Sequence, residues 1–169
     1  STLKGHSDCV TSVAFNHDNT KIVSGSGDKS IKIWDVKRGT CISTLNGHSH
    51  SVVSVAFNHD NTKIVSGSDD KSIKIWDVKS GTCISTLNGH SDDVYSVAFN
   101  HDNTKIVSGS LDKSIKIWQI TYPSQNVQKQ PSQVALPNTI ACISTLKGHS
   151  SDVYSVAFNH DNTKIVSGS

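Results

Sequence analysis

Methionine is absent from the 169 residues, proline occurs three times, and aromatic side chains make up only 6%. All three prolines, Pro123, Pro131 and Pro137, fall in one short stretch, so the rest of the chain has no residue that would remove a backbone donor from a β-ladder. Neither sign of charge is in excess: 16 Lys and Arg are interspersed with 14 Asp and Glu, for a net +2. The basic stripe that binding to a phosphate backbone requires is missing, which argues against nucleic acid. No apolar run approaches the roughly 20 residues of a membrane-spanning helix, and no secretory leader pattern opens the chain. Cysteine is scarce. Cys41, Cys83 and Cys142 are the same position in successive copies of one segment, so they are expected to stand too far apart to bridge, and Cys9 has no evident partner. Free thiols of this kind point to a reducing, cytoplasmic setting.

What the chain does have is repetition. "KIVSGSGDKSIKIWDV" at 21–36 returns as "KIVSGSDDKSIKIWDV" at 63–78 and as "KIVSGSLDKSIKIWQI" at 105–120. His6, His48 and His90 are spaced by 42; the next step, to His149, is 59, that is, 42 with an insertion of 17. Residues 5–46 and 47–88 differ at only five of 42 positions. Each unit reads as four short strands. "VTSVAFN" and "KIVSGS" flank the turn "HDNT", where Asp18 and Asn19 tolerate positive φ. "KSIKIWDV" alternates around Ile31, Ile33 and Trp34, and "KRGT" turns the chain into "CISTL". β-Branched enrichment with turn signals every 8–12 residues predicts antiparallel sheet throughout, and no window has helical periodicity. One such sheet cannot bury both of its faces. Radial stacking can, which predicts an all-β propeller arc of about four blades.

A unit of this length that opens with "GH" and closes its third strand with "WD" resembles the WD40 repeat family, and the match covers everything except the insertion. The resemblance implies that each repeat supplies the outer strand of one blade and the inner three of the next. It also implies a buried network of Trp, Ser, His and Asp. By position these are His6, Ser24, Asp28 and Trp34; His48, Ser66, Asp70 and Trp76; and His90, Ser108, Asp112 and Trp118. A buried imidazole needs a donor and an acceptor to hold its tautomer, so the combination is physically coherent. Three copies of Ser, His and Asp at a packing position read as structure rather than as a nucleophilic triad, which would occur once, exposed and beside an oxyanion site.

The repeats are expected at 5–46, 47–88, 89–147 and, partial, 148–169. The fourth has His149 and Ser167 but no third strand, and with Ser1 opening inside an outer strand the chain reads as a segment of a larger propeller, which in this family commonly has about seven blades. The insertion, about 122–141, holds every proline and is rich in Gln, Ser and Asn, so it is expected as an extended mobile loop with no PxxP motif. Trp118-Gln119 replaces "WD" there, and a looser exit turn is expected. The turns carrying His17, His59, His101 and His160 could suggest metal, but copies in neighbouring blades are expected beyond ligand distance. They read as solvated turn residues, with no metal and no cofactor.

Where near-identical copies differ is informative. After "GHS" come Asp8-Cys9-Val10-Thr11, His50-Ser51-Val52-Val53, Asp92-Asp93-Val94-Tyr95 and Ser151-Asp152-Val153-Tyr154. The other variable position is Gly27, Asp69, Leu111. Both windows belong to one rim, whereas the hairpin turns of the opposite rim read as invariant. Drift at exposed sites would also reach Thr20, Lys21 or Ser30 and their equivalents, which are identical wherever present. In WD40 proteins, the resemblance implies, the variable rim is the face that takes partners. The expected contacts are therefore Cys9, Thr11, Ser51, Val53, Asp69, Asp93, Tyr95, Leu111, Asp152 and Tyr154. Tyr and Leu among carboxylates suit a protein or peptide with a basic anchor. The expected function is a non-catalytic recognition scaffold, and near-identical tandem copies resemble the WD40 arrays at the sensor ends of large signalling ATPases. A structural unit that closes a ring by self-association is the alternative. An enzyme, lacking a unique nucleophile, metal set or phosphate loop, is the remote one.

Overall fold

The computed structural model describes residues 2–122 and 138–169. The described residues form strands joined by turns, with no helix among them. The first blade is a meander of Val10–Phe15 (β1), Lys21–Ser26 (β2), Ser30–Asp35 (β3) and Thr40–Asn46 (β4), in that order across the sheet. The second repeats it with Val52–Phe57 (β5), Lys63–Ser68 (β6), Ile73–Asp77 (β7) and Cys83–Leu87 (β8). Val94–Phe99 (β9), Lys105–Ser110 (β10), Ser114–Thr121 (β11) and Thr139–Lys147 (β12) make the third. Ser155–Phe158 (β13) and Ile165–Gly168 (β14) make a two-stranded fourth, an incomplete blade.

Turn chemistry is local and repeats. Asn19, Asn61, Asn103 and Asn162 lie at φ 59–62°, in the left-handed region that Asn tolerates. Gly39 and Gly81 take the same region in the β3–β4 and β7–β8 turns. Lys29, Lys71 and Lys113 do so as well, at φ 69°, 67° and 64°, which composition does not announce. Each is held by an N–H bond to the carbonyl of the Ser three residues earlier, at 3.1 Å in all three.

Hydrophobic cores lie between blades rather than within them. Val23, Ile31, Ile33 and Leu45 of the first blade close on Val52, Val55, Ile64 and Trp76 of the second. Val65, Ile73, Ile75 and Leu87 then close on Val94, Val97, Ile106 and Trp118 of the third. The approach is close enough to require glycine: a Cβ on Gly25, Gly67 or Gly109 would stand 2.8 Å from Val52, Val94 or Val153 respectively. Polar lacing keeps the register between blades. Ser12, Ser54 and Ser96 each accept the N–H of Val55, Val97 and Val156 in the next blade, at 3.1 Å. The first blade's outward face has no such cover, and Val10, Val13 and Phe15 are exposed there.

Two expectations about the third blade need correction. The third strand does not end at Trp118–Gln119: β11 runs on through Ile120, which is buried, to Thr121, and the exit turn expected to be looser lies outside the described residues. The Gln119 side chain donates to the carbonyl of Thr104 at 3.1 Å, unlike Asp35 and Asp77, which accept N–H groups of the following turn. The insertion is also narrower than 122–141, because Thr139, Ile140 and Ala141 zip onto Thr121, Ile120 and Gln119 as ladder partners. Tyr122 is tied down by its hydroxyl, which donates to the Asn103 carbonyl at 2.9 Å. The expected mobile loop, 123–137, lies outside the described residues. The four cysteines are exposed free thiols.

Candidate functional site

The predicted networks assemble in three blades. In the second, His48 Nδ1 meets Asp70 Oδ2 at 2.7 Å, His48 Nε2 meets Ser66 Oγ at 2.7 Å, and Trp76 Nε1 donates to Ser66 Oγ at 2.9 Å. The first and third blades repeat this with His6, Asp28, Ser24 and Trp34, and with His90, Asp112, Ser108 and Trp118. The fourth has the His149–Ser167 pair at 2.7 Å. Burial pulls His48 and His90 below the ordinary histidine range, although the neighbouring Asp partly offsets it. Burial would raise Asp70 and Asp112, but hydrogen bonds from Ser72 or Ser114 and from the imidazole outweigh it and bring both down to about 2. In the second and third blades an imidazole favoured in its neutral form thus lies between a carboxylate and a hydroxyl. Its connectivity matches a nucleophilic triad, but Ser66 and Ser108 are fully buried and spend a lone pair on the indole N–H, leaving no approach for an electrophile.

The two variable windows are physically one. Gly27 N–H donates to the Cys9 carbonyl at 2.9 Å, Asp69 N–H to that of Ser51 at 3.1 Å, and Leu111 N–H to that of Asp93 at 3.0 Å. Position 27 is not free to vary independently: a Cβ there would lie 3.0 Å from Asp8 Oδ2 and 3.2 Å from Cys9 Sγ. Its glycine therefore goes with the side chains of the first window. Thr11 is exposed, with its hydroxyl in hydrogen-bond reach of the carbonyls of Gly25 and of Val52 in the next blade. Nor is the opposite rim invariant: Arg38 against Ser80 falls in the turn between third and fourth strands.

Across the second, third and fourth blades the rim is aromatic and acidic. The rings of Tyr95 and Tyr154 lie 5.5 Å apart, centre to centre, inclined by 50°. The Tyr154 hydroxyl donates to Asp152 at 3.3 Å. Burial and then the negative charges of Asp69 and Asp92 raise the Asp93 carboxyl. Burial raises the Tyr95 phenol, helped by Asp69, Asp93 and Asp152. Asp69 Oδ1 is buried without a hydrogen-bond partner. Lys71, half exposed, pairs with Asp92 at 3.6 Å, and with His50 it only partly offsets the negative charge around Asp93. Cys9 stays exposed at the first blade's edge, and Ser51 and Val53 are half-buried between the two regions.

The histidine turns of the other rim contradict the expected separation. The ring centres of His17 and His59 are 4.1 Å apart, those of His59 and His101 4.2 Å, and those of His101 and His160 5.5 Å. The sequence offered a signal in the identical turn of each repeat. The distance needed the blade packing.

The family described as "WD domain, G-beta repeat" matches residues 1–35, 39–77, 81–119 and 140–169. The chain belongs to the WD40 repeat family. Each match after the first begins in or near one blade's outer strand and ends in the next blade's inner three. Among similar proteins, the vegetative incompatibility protein HET-E-1 of Podospora anserina is 56% identical over 39 residues, 23% of this chain and 3% of that protein. The WD40 repeat-containing protein smu1 of Dictyostelium discoideum is 42% identical over 40 residues, 24% of this chain and 8% of that protein. The ribosome biogenesis protein BOP1 homolog of Drosophila grimshawi is 49% identical over 39 residues, 23% of this chain and 5% of that protein. Two solved structures, "Structure of U3-55K" and "Crystal structure of RRP9 WD40 repeats", superpose with TM-scores of 0.77 at 29% identity. They cover 91% of this chain, which spans only 44% and 43% of theirs.

Proposed function

We propose that this WD40 segment is a non-catalytic, intracellular recognition module whose variable rim binds a protein or peptide through a basic anchor. The observation that carries this is the group of carboxylates around Asp69 and Asp93, only partly offset by Lys71 and His50, on the same rim as the paired Tyr95 and Tyr154 rings. A guanidinium or ammonium placed there would offset the negative charge that, after burial, raises Asp93. The paired rings would flank its aliphatic stem or its charge. Leu111, bonded through its backbone to Asp93, adds an apolar wall. Its membership among WD40 proteins, some of whose names refer to ribosome biogenesis or incompatibility, is in keeping with such a role.

A peptide array with single Arg or Lys anchors and matched acidic and neutral controls tests the reading. Basic peptides should be retained selectively, and Tyr95→Ala should weaken the best of them by about 2 kcal/mol, the range of an interfacial aromatic hot spot. Equal retention of acidic peptides, or indifference to Tyr95→Ala, would count decisively against it.

A second reading, assembly through open blade faces, rests on the exposed Val10, Val13 and Phe15. A concentration-dependent dimer mass that Val13→Asp abolishes would favour it.

A further inference from the structure

The identical turns of the four blades bring His17, His59, His101 and His160 into one continuous row of exposed imidazoles at the rim opposite the variable one. The row is held by its scaffold. The backbone N–H groups of His17, His59 and His101 donate to the side-chain oxygens of Asn61, Asn103 and Asn162 in the following turn, at 2.8, 2.9 and 3.0 Å. Within each turn the aspartate after the histidine accepts the N–H of the Thr two residues on, at 2.9–3.0 Å. Neighbouring imidazoles are therefore presented at a spacing set by blade packing. Beside them lies an open depression of about 260 Å³, lined by His17, His59 and His101 with Phe15, Phe57 and Phe99.

We infer that neighbouring imidazoles of this row bind a borderline divalent transition-metal ion, of the Ni²⁺, Cu²⁺ or Zn²⁺ class, as a two-histidine chelate completed by water. Metal–nitrogen bonds of about 2.0–2.1 Å put the ion about 3.2 Å from each ring centre; with ligand angles near 90–109°, two such rings then stand about 4.5–5.2 Å apart. The observed 4.1, 4.2 and 5.5 Å bracket that range, so small rotations of exposed side chains reach it. Imidazole is the protein ligand best suited to this class of ion, and it must be unprotonated to serve. Among the described residues no group of three or more potential ligands converges, which is why each site is a two-histidine chelate. The depression has room for the remaining water ligands, each of which takes about 30 Å³ in the liquid.

Titration calorimetry of the full chain with NiCl₂ decides the matter. Wild type should bind Ni²⁺. His59→Gln/His101→Gln, which leaves His17 and His160 without a neighbour, should weaken binding at least tenfold while keeping the circular dichroism of the parent. His50→Gln at the other rim is the control and should bind like wild type, and the exposed thiols remain in every variant. Ni²⁺-induced broadening of imidazole ¹⁵N resonances gives an independent readout. It should single out the four turn histidines and spare His6, His48 and His90, whose ring nitrogens are occupied. No Ni²⁺ binding by wild type, undiminished binding by the double variant, or broadening confined to other histidines would overturn the inference.

Discussion

His48 has each ring nitrogen engaged, one by a carboxylate and one by a hydroxyl, inside a site where Ser66 is fully buried. His48→Ala removes the partner of both groups at once and leaves them desolvated. It should cost about 1–3 kcal/mol in chemical denaturation, with the parent's m-value kept. Titration adds a direction. The folded state holds His48 and His90 below the ordinary 6.5, so the unfolded chain takes up protons first and stability falls as pH drops below 6.5. Asp70 and Asp112, brought to about 2 from an ordinary 3.8, contribute stability present above 3.8 and lost as pH falls from there towards 2. Melting temperature against pH should therefore decline in two stages on acidification. Asp70→Asn together with Asp112→Asn should make the lower stage shallower, while Asp28, held lower still by Ser30, Ser7 and His6, keeps part of it.

Strands that share one sequence differ in what they meet. Gly67 in β6 sits against the next blade, where an added Cβ would lie 2.8 Å from the Val94 carbonyl oxygen and 2.9 Å from Val94 Cγ1. The backbone oxygen cannot rotate away as a side chain can. Gly67→Ala should destabilise by about 1–3 kcal/mol, as over-packing in a filled core does. Gly168 in β14 occupies the same register with nothing within 4 Å, so Gly168→Ala should be close to neutral. Thermal melts of the two variants side by side check the contrast, and equal effects would mean that blade packing is not what constrains these glycines.

Position in the arc, rather than residue type, decides what each valine of "SVAF" contributes. Val55 and Val97 are each 5% exposed, whereas Val13, in the first blade, is 66% exposed. Val55→Ala should cost about 2 kcal/mol, two buried methyl groups plus the space they leave, and Val13→Ala little or nothing. A large loss at Val13 would mean that a second copy covers the first blade's face in solution, and sedimentation would then show the dimer. The two rims divide the molecule chemically. The Tyr95–Tyr154 pair with its neighbouring carboxylates marks one, the row of turn imidazoles the other, with the cores between blades separating them.

Much of this was legible in the letters. A 42-residue repeat with turn residues at constant offsets dictates strands, their order and the stacking of blades, because every copy must bury the same two faces. The Trp, Ser, His and Asp positions follow from the family pattern, and the acidic, aromatic rim from where the copies disagree. Other features depend on distances between residues some 42 positions apart, which no single repeat encodes. Blade packing alone brings His17 within 4.1 Å of His59, turns the Thr11 hydroxyl to the carbonyl of Val52, and strands an oxygen of Asp69 without a partner. Pairing alone extends β11 and β12 into the insertion, since Ile120 gains a buried site against the neighbouring blade that its own sequence window does not reveal. Periodicity determines which residues face the next blade; only the tertiary structure decides how close they come, because that depends on the angle and depth at which one sheet settles on another.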